Sequence, residues 1–325
     1  MIEQSSTVPV GRTVRVRVPA TSANLGPGFD CLGLALDLVD QVQVTVTGDD
    51  VPVLDDVPID SRETRVHVEG EGAGLVPDDE THLVVRALHV ALDALGAGRP
   101  RLELTCVNRI PHGRGLGSSA AAVVAGLLAG RALVTDGEQR LDDDAVLALA
   151  SEMEGHPDNA AACLFGGLTL AWSQSDGVRA LRIEPREDLS LTVLVPTVEL
   201  STRTARNLLP DQVPHADAAH AAGRAALLLA ALTDVRRSDL LLAATEDRLH
   251  QDYRAPAMPA TAALVERLRG EGRAAVVSGA GPSILVLDAG DSAPIEVSGQ
   301  WRVLALPVAR DGGTVEVLSE GAVPV

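Results

Sequence analysis

Gly113, Gly115 and Gly117 alternate with other residues and run directly into Ser118, Ser119 and an Ala-rich apolar segment that predicts a helix to about Val134. Three residues without Cβ let a backbone approach an anion and turn its N–H groups inward, and a helix start adds unpaired donors and the positive end of the dipole. A phosphate suits such a loop. The alternative is a tight turn capped by Ser118 or Ser119, since Ser is a favoured N-cap in its own right. Two further places could carry chemistry. Glu152 and Glu154 lie at the C-terminal end of a predicted helix, ahead of Gly155-His156-Pro157-Asp158-Asn159. A carboxylate there faces the negative end of the dipole, so either solvent or a metal ion must compensate it. Asn24 and Asp30 stand in a Gly- and Pro-rich turn, where both residue types also serve as ordinary turn formers.

The loop lacks the lysine that would follow the last glycine of a G-x-x-x-x-G-K-[ST] phosphate loop, and the chain contains no lysine at all. Schiff-base and lysine-nucleophile chemistry are therefore excluded. Ser118-Ser119 also stand where a dinucleotide fingerprint wants a third spaced glycine, which disfavours a nicotinamide site.

The elements that must position these residues follow from periodicity. Val14, Val16 and Val18 alternate as in a half-buried strand, as do Val42, Val44 and Val46, so the chain opens on a hairpin-like unit whose connection carries Asn24 and Asp30. Residues 1–11 read as a loose leader and 48–79 as surface loop with a short strand at Val66–Val68. A helix from His82 to Leu95 stops at Gly96, and the strand Leu102–Cys106 delivers the chain to the glycine loop. After the loop's helix, Ala145–Glu154 predicts a second helix and Cys163–Trp172 a strand bent at Gly166-Gly167. The polar stretch Ser173–Gly177 suggests a boundary, dividing the chain into 1–178 and 179–325. Beyond it come strands at Leu191–Val195, Ala274–Ser278, Ile284–Leu287 and Val303–Pro307, with a weak one at Val315–Val317. Helices are expected at 201–210, Ala218–Leu232, Asp239–Leu249 and Thr261–Arg269. The class is α+β.

Composition narrows the partners. With 325 residues, 46% hydrophobic content and only 2% aromatic, the chain must build its core from Ala, Val and Leu. A formal charge of −18 argues against nucleic-acid and acidic-membrane surfaces. Cys31, Cys106 and Cys163 are widely spaced and read as free thiols of a cytoplasmic protein, and no run of about 18 apolar residues suggests a membrane span.

Three glycine-bearing stretches, 19–30, 111–120 and 278–283, occur in an order that resembles the small-molecule kinase superfamily of galactokinase, homoserine kinase, mevalonate kinase and phosphomevalonate kinase (GHMP). The resemblance spans residues 14 to 287. Outside the shared loop, Asn24–Asp30, Glu154–Asn159, Ser201–Pro210 and Asp247–Arg254 are most similar to the homoserine kinase branch. The resemblance implies a two-domain α+β fold, with a ribosomal-S5-like nucleotide domain followed by a ferredoxin-like domain, and usually a homodimer. It implies ATP and Mg²⁺, with transfer of the γ-phosphoryl to the side-chain hydroxyl of L-homoserine. Residue by residue, Pro111, His112, Gly113, Arg114, Gly115, Leu116, Gly117, Ser118 and Ser119, with Gly279 and Gly281, match the ATP site. Ser119 and Glu154 match the metal ligands, with Glu152 the alternative. Arg206 and Arg254 match the arginines on the acceptor's carboxylate. Asn24, Asp30, His156 and Asn159 match its remaining contacts, and Asn24, Asp30 and Arg206 the catalytic set. Asp30 is either the base or the group that binds the amine. Arg114 departs from the small residues common in the loop, and either touches a phosphate or faces solvent. Ala280 stands where Ser is common. Alternatives are a mevalonate-type or sugar kinase, or a non-catalytic binding member.

Overall fold

A computed structural model describes residues 8–50, 64–290 and 293–322. The expected leader lies largely outside the described residues, and Val10 and Gly11 already belong to the first strand. That strand, β1 (Val10–Ala23), pairs antiparallel with β2 (Leu32–Asp50), so both reach further than the valine alternation alone indicates. The connecting turn is thereby compressed to residues 24–31.

β3 (Arg65–Gly70) runs parallel to β4 (Pro100–Asn108), and between them α1 (Leu83–Ala94) is capped by His82, whose Nδ1 accepts from Val84 N–H. α2 (Ser118–Leu133) follows the glycine loop. A single turn, α3 (Gly137–Arg140), leads into α4 (Asp143–Glu154), whose N-terminus is capped by Asp142 accepting from Ala145 N–H. Gly155 ends α4 in the left-handed region at φ 81°, the conformation glycine adopts at a helix C-terminus without steric cost.

The strand expected from Cys163 begins later. Asp158–Phe165 is a helix, α5, and only Leu168–Gln174 is strand, β5. Ala160 to Leu164 are all buried between β1, β2 and α2, and small apolar residues in a continuous buried run carry no helix-versus-strand periodicity. The polar stretch at 173–177 is a hairpin turn: β6 (Gly177–Ile183) pairs back on β5. It does not separate two sheets.

The second sheet is formed by β7 (Leu189–Pro196), β8 (Ala274–Val277), β9 (Ile284–Ala289) and β10 (Trp301–Leu306). Their spatial order β10-β7-β9-β8, all antiparallel, is the 4-1-3-2 arrangement of a ferredoxin-like sheet. Between β7 and β8 lie α6 (Thr202–Arg206), α7 (His215–Thr233), α8 (Leu241–Ala244), α9 (Gln251–Arg254) and α10 (Pro259–Gly270). The helix expected over 239–249 is a 3₁₀ segment and the single turn α8, followed by a turn at Asp247. Between β9 and β10 no described residue is helical. The last strand, β11 (Thr314–Ala322), returns to the first sheet and pairs with β1 along its length. The weak alternation at Val315–Val317 is thus the opening part of a nine-residue strand. The first sheet has the order β11-β1-β2-β4-β3, with β5 and β6 attached at the start of β2. One continuous core of Val, Leu and Ala runs from this sheet into β7, β9 and α7.

Candidate active site

The chain enters the glycine loop from β4 under the control of Asp40, a buried carboxylate that the sequence reading did not single out. Its Oδ1 accepts from the N–H groups of Arg109 (2.6 Å) and Ile110 (2.9 Å). Burial pushes the Asp40 carboxyl above its ordinary value, and those two N–H donors counter it. Gly113, Gly115 and Gly117 all stand in the left-handed region, with φ of 63°, 72° and 70°. At two of them no side chain fits. A Cβ on Gly117 would lie 1.9 Å from Thr21 Oγ1, and one on Gly115 would lie 2.3 Å from the Ser278 carbonyl oxygen.

Gly117 is the N-cap of α2, and no side chain caps that end. Neither Ser118 nor Ser119 fills the capping role that the turn alternative required. The first N–H groups of α2 instead face a cleft lined by Gly113, Gly115, Gly117, Ser118, Ser119 and Ala120. Ser119 Oγ donates to Glu154 Oε1 at 2.6 Å across the same cleft, so the carboxylate at the end of α4 is met by a hydroxyl at the start of α2. Glu152 is exposed and does not line the cleft.

The third glycine stretch braces the loop from behind. Ser278 Oγ donates to Gly115 O (2.7 Å) and lies 2.9 Å from Ser22 Oγ, while Gly279 N–H donates to Ala23 O. Gly279 and Ala280 line the cleft. Gly281 does not, and its carbonyl instead backs Gly115.

Arg114 departs from both expectations. Its guanidinium donates to the carbonyl oxygens of Pro196 (3.0 Å), His112 (2.7 Å) and Thr197 (3.0 Å) and to Glu199 Oε1 (3.1 Å). With its donors spent on the end of β7, it ties the loop to the second sheet and does not line the cleft. Leu200 N–H adds a bond to Gly113 O at 2.9 Å. Leu116 and Pro111 are buried, and His112 lines a second cavity. That cavity, about 300 Å³, opens on the other side of the loop between Val18, Val42, Pro77, Leu83 and Ala122, and shares Ser118 and Ser119 with the first.

Opposite the loop, Asn24, Leu25 and Asp30 all have positive φ (70°, 50° and 53°). Left-handed backbone in residues other than glycine is sparsely populated and persists where the surroundings over-determine it. Here Asn24 Oδ1 accepts from Asp30 N–H (3.0 Å) and its Nδ2 donates to Gly279 O (2.8 Å). Both are more than turn residues. Asp30 receives both guanidinium N–H groups of Arg206, at 2.7 and 3.1 Å, a bidentate pair. Arg254 is 1% exposed and donates to Gly279 O and His250 Nδ1. Burial lowers the Arg254 pKa, as does the neighbouring charge of Arg206; nearby carboxylates oppose the shift.

His156 and Asn159 complete the wall. Thr21 Oγ1 donates to Asn159 Oδ1 at 2.8 Å. His156 Nδ1 is 2.8 Å from Oδ1 of Asp158, a 2%-exposed carboxylate that the sequence reading passed over. Burial alone would lower the His156 pKa, but the Asp158 hydrogen bond and charge outweigh it and raise the value. Asp158 is the first residue of α5, so recognising that helix was the missing signal for it. Ser201 and Thr202 at the start of α6 also line the cleft.

Residues 82–167 match the family described as GHMP kinases N terminal domain, and residues 224–302 match GHMP kinases C terminal. Homoserine kinase of Streptomyces coelicolor is 55% identical over 93% of this chain and 94% of its own length. The chain belongs to the homoserine kinase branch of the GHMP kinases. Homoserine kinase of Streptomyces avermitilis is 57% identical over 84% of this chain and 85% of its own. A solved homoserine kinase from Cytophaga hutchinsonii superposes with a TM-score of 0.77 at 26% identity, covering 94% of this chain and 97% of that one. The GHMP kinase fold accounts for two sheets meeting at one cleft, and membership makes the chain an ATP-dependent phosphotransferase. No described helix is long and apolar enough to cross a membrane.

Proposed function

We propose that this GHMP kinase transfers the γ-phosphoryl group of ATP to the side-chain hydroxyl of L-homoserine, giving O-phospho-L-homoserine and ADP for threonine synthesis. One observation carries the reading. A single cleft holds an uncapped helix start behind three left-handed glycines on one side, and on the other Arg206 and Arg254 beside Asp30. That second wall suits an amino acid: guanidinium groups for the carboxylate and a carboxylate for the ammonium. A mevalonate or sugar acceptor has no use for an ammonium receptor.

The backbone N–H groups of residues 113–120 cradle the phosphates, and the apolar cavity on the far side of the loop takes the base. Ser119 and Glu154, a hydroxyl and one carboxylate, are the hard oxygen donors that Mg²⁺ accepts alongside phosphates and water. An Mg²⁺ ion held by these two residues would supply neutralisation of the charge on the transferring group. Asp30, with both oxygens engaged by Arg206, serves as the ammonium receptor in preference to a base. Asn24 fixes the backbone of that receptor. His156, steered toward its protonated form by Asp158, donates to the acceptor hydroxyl or to the transferring oxygens, and Asn159 flanks it. Phosphoryl transfer needs little covalent help from a protein, so positioning and charge carry the rate.

The nucleotide-binding unit is residues 1–178, extended by β6 and the returning β11, and the ferredoxin-like unit is the remainder of 179–325. Free thiols at Cys31, Cys106 and Cys163 suit a cytoplasmic enzyme, and a homodimer is the expected assembly. Mg²⁺-dependent ADP release measured with L-homoserine, L-threonine, L-serine, mevalonate and galactose tests the reading. Activity on homoserine, lost without Mg²⁺ and strongly reduced in Ser119→Ala, is expected. Preference for another acceptor would reject it.

A further inference from the structure

His250 lies outside the cleft lining, yet it touches both halves of the acceptor wall. It is 0% exposed. Its Nδ1 is 3.1 Å from Arg254 Nη1 and its Nε2 is 2.8 Å from Gly26 O. A guanidinium can only donate, so Nδ1 must be the acceptor and the proton must sit on Nε2, where it is donated to the Gly26 carbonyl. Both ring nitrogens are used, in one tautomer of the neutral ring. The face of the ring stacks on Phe29, centroids 5.1 Å apart at 21°. The guanidinium of Arg254 lies 5.5 Å from the centroid of Phe29, and that of Arg206 6.0 Å.

These contacts close a loop of constraint. Gly26 and Phe29 belong to the turn that begins with left-handed Asn24 and Leu25 and ends at Asp30. Arg254 comes from the second sheet's unit, and the carbonyl of Gly279 receives both Asn24 Nδ2 and Arg254 Nη1. The Asp247 carboxylate organises the segment that presents the ring, accepting from the N–H groups of Leu249, His250 and Gln251. The charged groups around His250 are therefore Arg254 on its own helical turn, Asp247 before it and Asp30 on the facing turn. A protonated ring would present a donor to Arg254 and place two cations together; burial holds the ring neutral.

We infer that His250 is a positioning residue for acceptor recognition: as the neutral Nε2–H tautomer it aims Arg254 at the acceptor's carboxylate and pins the Asn24–Asp30 turn against it. A buried arginine otherwise has several rotamers, and a hydrogen bond from a charged donor is among the stronger ones in a protein. Freed of that partner, Arg254 keeps only its longer bonds to Gly279 O (3.3 Å) and Ala205 O (3.4 Å), and its guanidinium is aimed less tightly at the acceptor. The inference rests on the homoserine reading above, since it assigns the acceptor's carboxylate to Arg254.

The test compares His250→Phe, which keeps the stack and removes both hydrogen bonds, with His250→Asn, whose amide oxygen can replace the Nδ1 acceptor. Steady-state kinetics are measured with homoserine and with ATP varied separately, in the wild type and in the Arg254→Gln background. His250→Phe should raise the homoserine KM by about 10- to 100-fold while the ATP KM stays within about twofold, and His250→Asn should recover most of the loss. In Arg254→Gln, adding His250→Phe should cost less than about threefold in kcat/KM, because the aimed group is gone. A parallel rise in both KM values, full additivity with Arg254→Gln, or failure of both His250 variants to fold would each overturn the inference, since each describes a residue that supports the fold and not Arg254. A wild-type enzyme inactive on homoserine would instead reject the reading beneath it.

Discussion

Gly115→Ala would place a methyl group 2.3 Å from the carbonyl oxygen of Ser278 and 2.8 Å from that of Gly281, at a backbone φ of 72°. Both obstacles are main-chain atoms, so no rotamer change relieves them. The loop must draw away from the third glycine stretch, which breaks the bond from Ser278 Oγ to Gly115 O. The left-handed conformation costs an L-residue about 1–2 kcal/mol and the lost hydrogen bond about 1 kcal/mol. Together these come to about 2–3 kcal/mol, or a fall of about 30- to 150-fold in the population of the docked loop. Gly113→Ala is the internal control. Its φ is 63°, but the new methyl would meet only the side chain of Glu199, at 3.4 Å, an ordinary contact. It carries the conformational cost alone, about 5- to 30-fold. The assay is kcat/KM for ATP at saturating homoserine, with thermal unfolding recorded in parallel. Equal losses in the two variants would refute the bracing role of residues 278–281, as would a Gly115→Ala enzyme with lowered Tm and unchanged ATP kinetics.

Glu154→Gln keeps an acceptor for Ser119 but removes the charge, and is expected to lower kcat/KM by about 100-fold and shift the Mg²⁺ titration to higher concentrations; Glu152→Gln should stay within about twofold, and the reverse ranking would move the metal to Glu152. Arg206→Lys exchanges a bidentate fork for a point charge, so the homoserine KM should rise by about tenfold with the ATP KM unchanged; an unaltered homoserine KM would remove Arg206 from the acceptor site. Because the folded-state pKa of His156 is raised above its ordinary 6.5, its pairing with Asp158 contributes stability that is fully present below about 6.5 and is lost as pH rises through the folded value. The wild type's advantage over Asp158→Asn should therefore shrink between pH 5.5 and 8.5, about one pH unit below 6.5 and two above it, in chemical denaturation. An NMR titration that places His156 below 6.5 in the wild type would contradict the assignment.

The features legible in the chain are those encoded locally. Three glycines spaced by two and followed by Ser-Ser and alanines specify a left-handed loop and a helix start with little help from the rest of the molecule, because glycine alone reaches φ near 70° without cost. The alternating valines of β1 and β2 specify a two-faced hairpin for the same kind of reason, and the carboxylate at the end of α4 announces itself by its conflict with the helix dipole. The tertiary structure decided what lies between segments far apart in the chain. Asn24 meets Gly279 across 255 positions and His250 meets Gly26 across 224, and no local period records such contacts. The same holds for β11, whose short alternation became a full strand only by pairing with β1, and for Arg114, whose donors found carbonyl oxygens on β7 and beyond it. α5 is hidden from periodicity because a wholly buried run of Ala, Cys and Leu has no polar face to betray its period, and with it the place of Asp158 at the helix start beside His156. Sequence determined which groups could do chemistry. Packing chose which carboxylate met Ser119, which arginine was buried, and which histidine held it in place.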